Sequence, residues 1–136
     1  MKRKLSIYLA GYSKNLEYRK KVIHLYEKYF YFINPMDLKF DSIYKDFGIN
    51  YDLYLVPHDK KMINQANIVI AKIDYLNKKD ISIGTFMEIM YAYDRGIPVY
   101  SISNETSILE NPWLKYHSKK QFKSIKECFN YLIPQF

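Results

Sequence analysis

The sequence predicts an α/β fold in which a parallel sheet is covered by helices on both faces. Two observations carry this. Short apolar runs alternate with segments of helical periodicity along the chain, and the runs are apolar at consecutive positions rather than at every second one. Strands buried on both faces read this way, and parallel strands need helical crossovers between them.

The elements follow in order. "LSIYLA", residues 5–10, reads as a buried strand that ends at Gly11. Asn15 suits a helix N-cap, and Leu16, Ile23, Tyr26 and Phe30 recur at helical spacing, so a helix is expected to run to about Phe30. "YFIN", ahead of Pro35, is a second strand, and residues 36–50 carry no legible pattern. A helix is expected over 59–66, leading into "NIVIAKI" (67–73), the clearest buried strand. A well-packed helix is expected over 84–94, stopping at Gly96, and "IPVYSIS" makes a fourth strand. The tail "SIKECFNYLI" is a closing helix capped by Ser124. With no repeat, linker or composition shift, residues 1–136 read as one domain.

Composition narrows the function classes. A chain of 136 residues with 49% hydrophobic and 26% charged side chains has the balance of an ordinary globular protein. Its 15 Tyr accompany abundant Lys, Ile and Asn, the mark of codon bias, so their number carries little functional weight. Lys and Arg exceed Asp and Glu by 21 to 14, a net charge of +7 that favours anionic partners. The basic residues are scattered, however, and the densest runs, "KRK" and "HSKKQFK", are short and read as solvated surface. The lone Cys128 excludes an intramolecular disulfide and a thiolate zinc site. His24, His58 and His117 stand far apart in no metal-binding spacing, so no metal and no cofactor are expected. No apolar run approaches the ~18 residues of a membrane span, and "MKRKLSIYLAGYS" reads as too short and too strand-like for a signal peptide, so none is expected. A soluble cytoplasmic protein is expected.

Ligands of parallel sheets bind beyond the carboxyl ends of the strands. That points to residues 11–15, 74–84 and 101–104. The first of these, "GYSKN", is a Gly followed by Tyr12, Ser13 and Lys14; the second, "SIGT", places Ser82, Gly84 and Thr85 at a helix start whose free amides favour an anion. Neither is a GxGxxG or GxxxxGK[ST] loop, and no GxSxG elbow exists. Glu88 is the anomaly. It lies one turn into the helix, among Phe86, Met87, Ile89, Met90 and Tyr91, where a carboxylate is costly unless paired or in use. Two readings stand: a nucleophile acting with a second acid on a sugar carbon, or a helix glutamate hydrogen-bonded to a tyrosine.

The succession "IYLAGYSKNLEYRK", "HDKKMINQANIVIAKID", "SIGTFMEIMYAYDRGIPVY" and "NPWLKYH…FKSIKECFNYL" resembles the nucleoside 2-deoxyribosyltransferase family over most of the chain. G-T-x-x-E, then Y-A and G-x-P-V, are its most specific parts. The resemblance implies a flavodoxin-like (Rossmann-like) parallel sheet and an enzyme that cleaves or exchanges the N-glycosidic bond of nucleosides or nucleotides. It implies Glu88 as the nucleophile, Tyr8 as the phenol orienting it, and Asp59 as the acid assisting departure of the base. Gly11 would permit close approach at the first turn. Tyr12, Ser13, Lys14, Ser82 and Gly84 would bind substrate. Asn111 would reach a neighbouring subunit's site in a homodimer or larger homo-oligomer. Two positions depart from the family's pattern. Asn67 replaces a frequent Asp and reads as structural. Ser82, six residues before Glu88, replaces the Asp of nucleoside transferases and matches the related nucleoside 5′-monophosphate N-glycosidases; Asp80, two residues away, is an alternative source of the carboxylate.

On the residues alone, Tyr8 also fits the core and Asp59 a helix cap. Three functions therefore compete: an enzyme acting on N-glycosidic bonds, a non-catalytic nucleotide-binding or sensing module, and a nucleic-acid binder relying on basic and tyrosine side chains.

Overall fold

The computed structural model describes residues 4–12, 16–35, 51–77 and 80–136. The expected cap Asn15, the loop residues Ser13 and Lys14, and the illegible stretch 36–50 lie outside the described residues. Five strands form one parallel sheet: β1 (Ser6–Gly11), β2 (Tyr31–Ile33), β3 (Ile68–Lys72), β4 (Val99–Ile102) and β5 (Lys120–Phe122). Their order, β2-β1-β3-β4-β5, is that of flavodoxin-like sheets. The helices are α1 (Leu16–Tyr26), α2 (Tyr51–Asn64), α3 (Ile83–Asp94), α4 (Thr106–Leu109), α5 (Pro112–His117) and α6 (Ile125–Leu132).

Alternation along the strands divides the core in two. Ile7, Leu9, Ile68, Ile70 and Ile102 face α1 and α6, meeting Val22, Cys128 and Phe129. Tyr8, Ala10, Val69, Ala71 and Val99 face α2 and α3, meeting Ile63, Ile89 and Ala92. Both faces are thus buried, as consecutive apolar positions in β1 and β3 require. Asn67, expected to be structural, accepts a hydrogen bond from the Ser6 amide through Oδ1 at 2.8 Å and ties the start of β3 to β1.

Several expectations need correcting. A fifth strand exists where the sequence suggested only a basic surface run. It has three residues, and only Phe122 is buried, so no apolar run announces it. The helix expected over 59–66 begins at Tyr51 and continues through Pro57, a residue that ordinarily signals a helix boundary. Helix α1 ends at Tyr26 rather than near Phe30, closing in a turn in which the Tyr29 amide donates to the Tyr26 carbonyl. The helix of Glu88 is half exposed, with Met87 64% exposed while Ile89 is buried. Its stop at Gly96 is as expected: φ there is +75°, a conformation glycine adopts without strain. Ser124 caps α6 as expected, its hydroxyl oxygen accepting from the Glu127 amide at 3.2 Å. Among the described residues, no helix is long and apolar enough to cross a membrane.

Phe129 anchors the α1/α6 layer. Fully buried, it stacks on Tyr26 at 3.9 Å between ring centroids and lies edge-on to Phe32 at 6.1 Å. Phe129→Ala is expected to cost about 3–5 kcal/mol of unfolding free energy, read as a fall in the denaturant midpoint. A loss below about 1 kcal/mol would contradict this packing.

Candidate active site

The register of β1 turns Tyr8 toward α3, where it is fully buried. Helix α3 is capped by Ser82, whose Oγ accepts from the Thr85 amide at 3.4 Å and from the Thr85 hydroxyl at 2.9 Å. Thr85, Ile89 and Ala92 mark the buried side of the helix, and Glu88 falls on that side, one turn beyond Thr85. There the Tyr8 hydroxyl donates to Glu88 Oε2. Tyr8 is therefore both a core residue and the partner of the carboxylate.

Glu88 also opens onto space. Together with Val56, Asp59 and Lys60 of α2, and Met87 and Tyr91 of α3, it lines a cavity of about 210 Å³. Burial pushes the Glu88 carboxyl up to about 8; the Tyr8 hydrogen bond and the positive charge of Arg19 pull the other way, and the neighbouring Asp59 adds to the rise. Burial likewise raises the Tyr8 hydroxyl, with the charges of Glu88 and Asp59 acting in the same direction. Both shifts come from enclosing charge beside the sheet.

Asp59 is a mid-helix residue of α2, which excludes the helix-cap reading. Its Oδ1 lies 3.2 Å from His58 Nδ1. Burial raises the Asp59 carboxyl, opposed by this histidine and by Arg19. The cavity thus holds two carboxyl groups that are both easier to protonate than in water.

A smaller cavity of about 160 Å³ adjoins the carboxyl ends of β1 and β3. Tyr12, Ser82 and Thr85 line it, with Lys72 and Asp74, which form an ion pair with each other. Gly11 stands at its edge of the sheet. A Cβ added there would meet the Lys72 carbonyl oxygen and Tyr18 Cε1, each at 3.2 Å, so close approach is what requires the glycine. Gly84 has open space beside it and borders the Glu88 cavity. Asp80 lines neither cavity. Its carboxylate accepts from Asn77 Nδ2 at 3.1 Å, whereas Asp74 lines the smaller cavity together with Ser82. Asn111 also lines neither; its Oδ1 caps α5 through the amides of Trp113 (2.9 Å) and Leu114 (3.3 Å).

Sequence reasoning missed Arg19. It is only 2% exposed and donates to the main-chain carbonyls of Leu9 (3.4 Å), Gly11 (3.0 Å) and Tyr12 (3.0 Å). It therefore pins the end of β1 and the turn after it, and its charge acts on both Glu88 and Asp59. Lys72 was also missed; Asp74 opens the segment 74–84 expected at the binding edge but was not singled out within it.

No protein-family profile matches the sequence, and no curated protein matches it. Solved structures do match its fold. A 2-deoxyribosyltransferase from Bacillus psychrosaccharolyticus superposes with a TM-score of 0.70 at 20% identity, over 96% of this chain and 94% of that one. One from Leishmania mexicana gives 0.72 at 20% identity, over 97% and 98%. The chain has the 2-deoxyribosyltransferase fold. A CMP N-glycosidase from Clostridium botulinum is also similar, with a TM-score of 0.52 at 21% identity over 93% and 97%. The flavodoxin-like expectation from sequence is met by this fold.

The raised Glu88 carboxyl has a thermodynamic consequence. Between its ordinary value of 4.5 and about 8, the unfolded chain ionises Glu88 while the folded chain keeps the proton. Its contribution to stability is thus complete below about 4.5 and is lost as the pH rises toward 8. Glu88→Gln, neutral throughout, is expected to gain Tm over the native chain progressively from pH 5 to pH 8.5. A difference independent of pH would mean that Glu88 ionises as in water.

Proposed function

We propose that the chain breaks the N-glycosidic bond of nucleosides or their 5′-monophosphates, passing the sugar to another base or to water. One observation carries this: a desolvated glutamate held by a buried phenol shares a cavity with a second, protonatable carboxyl. The fold shared with 2-deoxyribosyltransferases and a CMP N-glycosidase supports it.

In this reading a carboxylate oxygen of Glu88 attacks the anomeric carbon as the bond to the base breaks. Tyr8 holds the other oxygen, fixing the direction of attack. Asp59 gives its proton to the leaving base, a contribution of roughly 10²–10⁴ in rate. The acceptor, a base or water, then attacks the same carbon, releases Glu88 and returns a proton to Asp59. Burial raises both carboxyls, and attack requires the state in which Glu88 is ionised while Asp59 holds the proton. Asp59 retains a proton more readily than a surface aspartate, and Glu88 becomes nucleophilic as the pH approaches 8.

Ser82 and Thr85, beside the smaller cavity, offer hydroxyls that would receive a 5′-phosphate, with the Asp74 carboxylate there already paired with Lys72. A homo-oligomer is part of the proposal. Ile83, Met87, Trp113 and Tyr116 are 64–75% exposed on α3 and α5, an apolar surface that association would cover. In this reading Asn111, which caps α5 beside Trp113, reaches toward a neighbour's site.

The test is a panel of deoxy- and ribonucleosides and their 5′-monophosphates, incubated with and without a second base and followed by chromatography. Free or exchanged base is expected from the native chain. Glu88→Gln should lower the rate at least about 10³-fold. Tyr8→Phe, lacking the bond that favours the ionised Glu88 carboxylate, should also lower the rate. Undiminished turnover in Glu88→Gln would end the proposal.

A further inference from the structure

A larger cavity, of about 660 Å³, lies on the α1/α6 face, where no part of the proposed chemistry takes place. It sits beyond the carboxyl ends of β3 and β4, the ligand-binding edge of a parallel sheet. Four lysines from separate parts of the chain line it: Lys21 of α1, Lys72 at the end of β3, Lys123 ahead of α6 and Lys126 in its first turn. Among the described residues, Asp74 is the acidic one in the cavity lining, already paired with Lys72. Glu127 is engaged nearby, its carboxylate accepting from the Lys123 amide at 3.2 Å. Tyr26, Ile102 and Ile125 supply an apolar wall.

Like charges brought together repel one another unless an anion is held between them. Here four line a single concavity whose low-dielectric walls focus their field, and the positive end of α6 adds to it. The volume falls within the ~300–1,000 Å³ of small-molecule sites. Lys123 closes the run "HSKKQFK", so part of what reads as solvated surface in the sequence belongs to a built cleft.

We propose that this cleft binds a nucleoside polyphosphate, its phosphates held by Lys21, Lys72, Lys123 and Lys126 and its base against Tyr26 and Ile102. The site is separate from the Glu88 cavity and does not depend on any reaction there.

Calorimetric titration of the full chain with ATP, and in parallel with tripolyphosphate, tests this at low and at physiological salt. Saturable binding of one ATP per chain is expected, at least as tight as that of tripolyphosphate. The double substitution Lys123→Glu/Lys126→Glu should weaken it by at least about tenfold. Lys61→Glu/Lys119→Glu, at exposed positions outside the cleft with the same change of net charge, should leave it within about twofold. Far-UV circular dichroism would show that each variant folds. Glu88→Gln and Ser82→Ala should bind ATP as the native chain does. Three results would overturn the assignment: no saturable binding, equal weakening by the two double substitutions, or loss of binding in Ser82→Ala. Much tighter binding of tripolyphosphate than of ATP would remove the nucleotide from it.

Discussion

The arrangement depends on a carboxyl group taken out of water and given one phenolic hydroxyl in return. Burial opposes ionisation of Glu88, and the Tyr8 hydrogen bond favours it. The balance leaves a group that ionises about 8, between an inert buried acid and a solvated anion. Each neighbouring element bears on that balance. The alternation of β1 aims Tyr8 at α3, the Ser82 cap fixes where α3 begins, and Arg19 fastens the carbonyls at the end of β1. A one-residue slip of β1 would turn Tyr8 to the opposite face and leave Glu88 buried without its donor.

The two faces of the sheet have different characters. The α2/α3 face carries the paired carboxyls and an apolar surface on α3. The α1/α6 face carries the aromatic core around Phe129 and, at its ligand-binding edge, the lysine cleft. The Lys72–Asp74 ion pair borders both the cleft and the small Ser82 cavity, so the two faces meet at the end of β3.

Much of this was readable in the sequence. Four strands and the helix bearing Glu88 follow from apolar runs and their punctuation, and the carboxylate stood out because its neighbours in the chain are apolar. Tyr8 and Asp59 became legible only through the family resemblance, since a tyrosine in a strand and an aspartate in a helix are unremarked alone. What was missed has physical reasons. Among the described residues, strand β5 pairs with β4 alone and buries only Phe122, so its sequence keeps the polar pattern of a surface. Helix α2 continues through Pro57, where local preference predicts a boundary. Arg19 bonds to carbonyl oxygens at positions 9, 11 and 12, acceptors that every residue possesses and no sequence pattern marks.

The most direct measurement is mass spectrometry of the chain after reaction with a 2′-fluoro-substituted nucleoside, whose electron-withdrawing fluorine slows hydrolysis of a glycosyl ester. The account predicts a sugar adduct on the peptide that contains Glu88, absent from Glu88→Gln. Base release with no adduct, or an adduct on another residue, would contradict it.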